Sequence, residues 1–170
     1  MSAPPAPVLS ADLIAMVQRG VSTIVSSCDA ALRPSMMRAM GSTITDDGRF
    51  ATVYLSRKQS RQLLQDIAAS GRVAVVFTHP ASNRALQLKS LQARTRNTDA
   101  TDQAVLARYL VAMETEIAEV GFPPVLTRAM LAHDIADVVA VEFEPAEAFD
   151  QTPGPKAGAP LDAVRAGDGT

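Results

Sequence analysis

The sequence predicts an α+β fold in which short antiparallel strands form the sheets and the helices stand apart from them along the chain. Residues 49–55 alternate, with Ala51, Val53 and Leu55 on one face of an extended segment, as in antiparallel sheets. Just before them, residues 45–48 read Thr-Asp-Asp-Gly, a composition typical of a tight turn. The predicted order is helix, three strands, helix, two strands, helices and strand. Hairpins join most of these strands, which favours α+β over an alternating parallel fold.

The first elements are a short helix and three strands. Ser10 is a suitable N-cap for a helix that ends near Arg19, because a serine hydroxyl accepts a backbone N–H of the first helical turn. β-branched residues predict a strand over residues 21–26, and a second extended segment covers residues 33–41. Residues 49–55 supply the third strand.

A helix over residues 57–70 and two more strands follow. Ser56 and Gln59 have the spacing of a capping box, in which each side chain bonds the backbone N–H of the other at the start of a helix. Residues 72–78 predict a nearly continuous apolar strand. Residues 84–95 predict a long strand whose alternation slips part-way along, as at a β-bulge.

The last elements are two helices and one strand. Thr98 or Thr101 caps a long helix that reaches about residue 118, with an apolar stripe along one side. A Gly-Phe-Pro-Pro break then precedes a short helix over residues 125–131. Alternating apolar residues predict a final strand over residues 137–144.

Composition limits the class of protein. The 170 residues accommodate one domain, and a net charge of −2 offers no basic surface for nucleic acid. A single Cys28 and two histidines exclude an intramolecular disulfide and make a metal site unexpected, so we expect a cytoplasmic protein. No apolar run approaches the about 20 residues of a spanning helix, and we expect no membrane insertion. We expect residues 1–9 to be disordered, residues 10–151 to form the domain and residues 152–170 to be a Gly/Pro/Ala-rich tail.

Residues 49–62, RFATVYLSRKQSRQ, contain the clearest sign of a binding site. A predicted strand runs into a predicted helix whose first turn carries Arg57, Lys58 and Arg61. Backbone N–H groups at a helix N-terminus bind anions, whereas cationic side chains there oppose the helix dipole. A bound phosphate would relieve that conflict, although a solvated basic helix face would give the same pattern. The usual self-sufficient catalytic motifs are absent, so a bound cofactor would have to supply any chemistry.

Several segments resemble, in their order, the FMN-binding split barrel of the pyridoxamine 5′-phosphate oxidase-like superfamily. They are an Arg-Pro strand pair, an Asp-Gly hairpin, a Ser-Arg-Lys triplet opening a helix, and the segments GRVAVVF and RALQLKS. The closing segment VVAVEFEPAEAFDQTPGP is similar to the end of small members. The resemblance implies a six-stranded antiparallel split β-barrel with flanking helices over residues 10–151. It also implies a homodimer that binds FMN at the subunit interface.

The family holds the FMN phosphate with the arginine and lysine of its Ser-Arg-Lys triplet. The resemblance places these roles on Arg57 and Lys58. A register one residue later would place them on Lys58 and Gln59, and both registers stay open because the following helix needs a one-residue insertion that could fall on either side. Lys58 is common to both.

The resemblance also implies contacts with the flavin ring. The family arginine on the strand before the hairpin is best matched by Arg38, with Arg33 as the competing candidate. The backbone of Ala39 and Met40 would then lie along the ring. A family hydroxyl on the third strand is matched by Thr52, which is equally suited to a purely structural position in a sheet.

The function implied by the resemblance is redox chemistry on an unknown small molecule. The family's oxidase ends in an aromatic, arginine-bearing segment that helps to bind the B6 substrate, whereas this chain has no Trp and ends AGAPLDAVRAGDGT. We therefore do not expect it to oxidise pyridoxamine phosphate. Two alternatives stay open: a non-enzymatic flavin- or haem-binding module on the same fold, and a dimeric structural or regulatory domain without a cofactor.

Overall fold

The structure, a computed structural model, describes residues 7–161. Over this part of the chain it contains ten strands, four α-helices and one 3-10 helix. The strands are β1 (Ser22–Cys28), β2 (Pro34–Arg38), β3 (Gly41–Ile44), β4 (Ala51–Ser56), β5 (Val73–Thr78), β6 (Ala85–Ser90), β7 (Arg94–Asn97), β8 (Val138–Phe143), β9 (Glu147–Asp150) and β10 (Ala159–Pro160). The helices are α1 (Ala11–Gln18), α2 (Arg61–Ser70), α3 (Ala100–Glu119) and α4 (Pro124–Met130), and the 3-10 helix spans Ile135–Asp137.

The described strands form two antiparallel sheets. The larger sheet has the order β10-β9-β6-β5-β1-β2, and the smaller sheet has the order β3-β4-β8-β7. The chain passes from the larger to the smaller sheet between β2 and β3, and again between β6 and β7. The α+β class predicted from the sequence is confirmed, and two sheets linked in this way are consistent with a split barrel.

The prediction of six strands was wrong, partly because the strand expected at residues 33–41 ends at Arg38, and a separate strand, β3, begins in the other sheet at Gly41. The break falls at Ala39 and Met40. The Ala39 N–H donates to the carbonyl of Thr23 in the larger sheet at 2.9 Å, and the Met40 N–H donates to the carbonyl of Tyr54 in the smaller sheet at 2.7 Å. Two successive residues therefore satisfy their backbone groups in different sheets, and the chain bends between them.

The predicted strand at residues 84–95 is divided in the same way. Strand β6 occupies its first part, and β7 begins near its end at Arg94 and continues to Asn97, with residues 91–93 between them. The Ala93 N–H donates to the carbonyl of Gly71 at 2.9 Å, which ties this connection to the end of α2. The slip in alternation was thus a change of sheet. The strands β9 and β10 were not predicted.

Both long helices begin at residues other than those predicted. Helix α2 begins at Arg61 instead of residue 57, because residues 57–59 form a turn. Helix α3 has Asp99 as its N-cap, in place of Thr98 or Thr101: the Asp99 carboxylate accepts the N–H groups of Thr101 and Asp102. A carboxylate at an N-cap also interacts favourably with the helix dipole.

One main core lies between the two sheets and is covered by α2. Its side chains are almost completely removed from water, and apolar burial of this kind is the main force that stabilises such a domain. They include Val25 and Phe77 from the larger sheet, Val53 and Val141 from the smaller sheet, and Leu63 and Ile67 from α2.

Helix α3 covers the outer face of the smaller sheet. Leu106 packs there against Met40 and Tyr54 in a second buried cluster. A Cβ at Gly41 would lie 2.8 Å from Cδ2 of Leu106, so a larger residue at this position would force the Leu106 side chain to shift. No described helix, α3 included, is long and apolar enough to cross a membrane.

The ordered region extends beyond residues 10–151 at both ends. Leu9 is buried in the main core. The Leu161 N–H donates to the carbonyl of Ala148 at 2.8 Å, and β10 pairs with β9, so the first part of the expected tail adds an edge strand to the larger sheet. Residues 1–6 and 162–170 lie outside the described residues, and the predictions made for them stay predictions.

Candidate functional site

A basic cleft lies where β4, α2 and the 3-10 helix meet. Its volume is about 450 Å³. Three cationic side chains and two carboxylates line it, so its formal net charge is +1. They are Arg57, Lys58, Arg61, Asp134 and Asp137.

The turn that carries Arg57 and Lys58 closes on Ser56, the last residue of β4. The Ser60 N–H donates to the carbonyl of Ser56 at 2.9 Å, and the Gln59 N–H donates to Oγ of Ser56 at 3.2 Å. Ser56 and Gln59 thus make half of the predicted capping box, but the bond closes a turn before the helix. Arg57 and Lys58 project from this exposed turn at the mouth of the cleft.

The N-terminus of α2 has no capping side chain. Ser60 occupies the N-cap, yet its side chain makes no capping hydrogen bond, and the first turn contains no acidic residue. The Ser60 hydroxyl is 2% exposed and has no hydrogen-bond partner among the described residues. A buried polar atom without a partner is costly, and the first N–H groups of a helix also need acceptors. Together with Arg61 in the first turn, these groups favour a bound anion.

Asp137 and Asn97 hold the basic turn from two other elements. The Arg57 N–H donates to the Asp137 carbonyl at 2.7 Å, and Nη2 of Arg57 donates to Oδ1 of Asn97, also at 2.7 Å. The Asp137 carboxylate accepts the Ser56 hydroxyl at 2.6 Å and the Lys58 N–H at 3.1 Å. The hydrogen bond from Ser56 is the main reason why the pKa of Asp137 is lowered, and the nearby cations add to it.

Ala39 and Met40 lie at the same end of the smaller sheet as this turn. Strand β3 begins at Gly41 and β4 ends at Ser56, and the two strands are antiparallel. Both side chains are buried, however, and Met40 lies beneath helix α3. The backbone N–H groups of both residues are already bonded within the sheets.

Arg38 and Thr52 lie apart from the cleft. Nη1 of Arg38 donates to Oγ of Ser22 at 2.7 Å, on the larger sheet. Thr52 is half-buried near the start of β4, where it pairs with Thr43 of β3 on one side and Glu142 of β8 on the other. It precedes Arg57 by five residues, which corresponds to about 17 Å along a strand.

The structure therefore brings together part of the predicted site. Arg57 and Lys58 share the cleft, whereas Gln59 lies in the same turn without lining it. Arg61 had been noted as basic but had no assigned contact. Asn97 and Asp137 were missed, because nothing in the local sequence indicates that residues about 40 and 80 positions apart meet here.

A larger cavity, of about 710 Å³, lies at the opposite end of α2, beside Arg72. The ten residues of α2 separate the two sites by about 15 Å. The walls of the larger cavity are mainly apolar, and Arg72 and Lys89 are balanced there by Glu144 and Glu147. We place the candidate anion site in the smaller cleft because that cleft combines net positive charge with an uncapped helix.

Comparison with known proteins identifies the fold. No known protein-family model and no curated protein match the sequence. Among solved structures, HupZ from Group A Streptococcus has a TM-score of 0.52 at 13% identity, covering 88% of this chain and 99% of HupZ. A candidate pyridoxamine 5′-phosphate oxidase from Lactobacillus delbrueckii has a TM-score of 0.53 at 15% identity, covering 84% of this chain and 93% of the other. The chain has the fold of the pyridoxamine 5′-phosphate oxidase-like proteins.

An F420 reductase has the same fold, with a TM-score of 0.53 at 17% identity, covering 79% of this chain and 93% of the reductase. The pyridoxamine 5′-phosphate oxidase-like fold thus extends over most of the chain in all three comparisons. The TM-scores of 0.52–0.53 show the fold, and at identities of 13–17% the ligand and the reaction have to be argued from the site.

Proposed function

We propose that this protein is an FMN-binding flavoprotein that works as a homodimer in redox chemistry on a small molecule. The observation that carries the proposal is the basic cleft at the uncapped N-terminus of α2. Arg57, Lys58 and Arg61 supply the charge there, and the Ser60 hydroxyl lacks a partner among the described residues.

The cleft suits the phosphate of FMN. A phosphate monoester carries up to two negative charges and several acceptor oxygens, which match three cationic side chains and free helical N–H groups. Arg57, Lys58 and Arg61 would hold the phosphate, and the adjacent end of the smaller sheet, at Ala39 and Met40, would be the side toward the ring. When bound, flavin supplies hydride or electron transfer, while the chain binds and orients the flavin.

The names of two similar structures support a redox role. One is a reductase and the other is a candidate oxidase. Oxidation of pyridoxamine phosphate itself is not part of the proposal.

The test is the visible spectrum of the purified full-length protein, before and after addition of FMN and removal of excess ligand. We expect the two visible bands of bound flavin, and FMN should be released intact on denaturation. A Soret band in place of the flavin bands would favour a haem-binding module on the same fold. A protein that stays colourless and retains no added FMN would overturn the proposal.

A further inference from the structure

We propose that Asp137 is a positioning residue that shapes the basic turn for an anion and, through its own charge, limits how strongly the cleft prefers a phosphorylated ligand. This inference rests on the proposed function. It concerns a residue about 80 positions away in sequence from the turn that it holds.

Asp137 bonds to three consecutive residues. It accepts the Ser56 hydroxyl, the Arg57 N–H and the Lys58 N–H, at 2.6, 2.7 and 3.1 Å. Two of these bonds use the carboxylate and would be lost with the side chain. The turn would then keep its internal bonds to Ser56, the bond from the Arg57 N–H to the Asp137 carbonyl and the bond from Arg57 to Asn97, but the backbone at Lys58 would be less fixed. Loosely held cations lose part of their binding free energy to the entropy of ordering.

The charge of Asp137 acts in the opposite direction. Its carboxylate lines the same cleft as three cations, so it offsets one of them. Hydrogen bonds from Ser56 and Lys58 lower its pKa, which keeps the group ionised at neutral pH. An anion entering the cleft is therefore held by the arrangement that Asp137 maintains and is repelled by the charge that Asp137 carries.

Asp137→Asn separates these two effects. An asparagine Oδ1 can still accept the Lys58 N–H, and its Nδ2 can donate to Oγ of Ser56, because a hydroxyl both donates and accepts. The shape is kept and the charge is removed. Asp137→Ala removes both. Asp134→Asn is the matched charge control: Asp134 lines the cleft, and its side chain bonds only the Ala136 N–H among the described residues, a bond that asparagine can also accept.

The experiment measures the ratio of the riboflavin and FMN dissociation constants, by flavin fluorescence, for the full-length protein and these variants. We expect Asp137→Ala to lower the ratio about tenfold, as for loss of charged hydrogen bonds. We expect Asp137→Asn and Asp134→Asn each to raise it about two- to fivefold, an increase that shrinks as salt is added. An increase that shrinks with salt reports the charge of the carboxylate and not the shape of the turn. A purely structural role of Asp137 would not produce it.

Each alternative result would contradict a specific part of this proposal. An unchanged ratio in Asp137→Ala, or an equal rise in both Asp137 variants, would show that Asp137 does not position the turn. An Asp137→Asn ratio as low as that of Asp137→Ala would contradict the role of charge. If Asp137→Ala does not fold, Ser56→Ala replaces it and should lower the ratio in the same direction. Unaltered protein without preference for FMN over riboflavin would overturn the proposed function, and this inference with it.

Discussion

At the scale of single residues, Asp102 joins α3 to two strands of the smaller sheet. Its carboxylate accepts hydrogen bonds from Nη1 and Nη2 of Arg96, at 2.5 and 2.9 Å, and from the Tyr54 hydroxyl, at 2.8 Å. It also accepts the Asp99 N–H at 2.8 Å. The hydrogen bonds from Arg96 are the main reason why the pKa of Asp102 falls from its usual 3.8 to about 2, against the opposing effect of desolvation.

This network predicts an acid-dependent contribution to stability. Because the pKa of Asp102 is lower in the folded than in the unfolded state, its stabilisation is complete above about pH 4 and is lost as the pH falls toward 2. We expect Asp102→Asn to lower the free energy of unfolding by about 1.5–3 kcal/mol at pH 7. Urea unfolding of both proteins from pH 7 to pH 3 should show this difference shrinking with acid. A difference that stays constant over that range would contradict the account.

Sequence analysis pointed to those residues of the candidate site that a local sequence pattern marks. Arg57 and Lys58 were noted because the sequence predicted them in the first turn of a helix, where cations oppose the helix dipole, and because the resemblance assigns them to the phosphate. The structure instead places them in the turn before that helix. Asp137 and Asn97 could not be found in this way, because their role depends on how the 3-10 helix and β7 pack against the turn. The same limit applies to Met40, which is buried by a helix about 65 residues further along the chain, whereas Ala39 is buried in the main core.

At the scale of elements, the N-termini of the two long helices differ in function. Helix α3 has a full capping box made by Asp99 and Asp102, whereas α2 has neither a capping side chain nor an acid in its first turn. The spacing of hydroxyl residues predicted the wrong N-cap for both helices, because three-dimensional contacts decide which of several nearby polar residues caps a helix. The uncapped helix is the one at the basic cleft, where a ligand can supply the missing acceptors.

The cap of α3 can be tested directly. We expect Asp99→Ala to lower the free energy of unfolding by about 1 kcal/mol, because it removes two acceptors and a favourable charge at the helix N-terminus. Thr101→Ala is the matched control at the other candidate cap and should cost less than about 0.5 kcal/mol. Urea unfolding at neutral pH measures both. Similar losses in the two variants would show that the cap is shared or misplaced.

The breaks between strands are a second feature that local sequence patterns did not predict. Alternation predicted extended chain at residues 33–41 and 84–95, and extended chain is present in both. Each segment nevertheless changes sheet part-way, at residues 39–40 and 91–93. Extended backbone on either side of a bend has the same local pattern as one long strand, so the sequence does not distinguish them.

At the scale of the whole molecule, the fold leaves sheet edges and apolar residues exposed. Strand β2 is an edge of the larger sheet, and Met36 on it is 64% exposed. Edges of this kind favour association unless they are covered. We expect light scattering of the FMN-loaded protein to give twice the 18.0 kDa of one chain, independent of concentration in the micromolar range. A mass near that of one chain, with FMN bound, would contradict the homodimer.

The central claim is that the phosphate of FMN binds at the turn that carries Lys58, and removal of that amine tests it most directly. FMN and riboflavin are titrated against the unaltered protein, Lys58→Ala and the control Lys156→Ala. Lys156 is an exposed lysine that does not line the cleft. Comparing the dissociation constants of the two flavins separates binding of the phosphate from binding of the ring. We expect Lys58→Ala to weaken FMN by about 1.5–3 kcal/mol, or roughly 10- to 150-fold, and to leave riboflavin unchanged. Equal weakening of both flavins, or none, would contradict the claim and place the phosphate elsewhere.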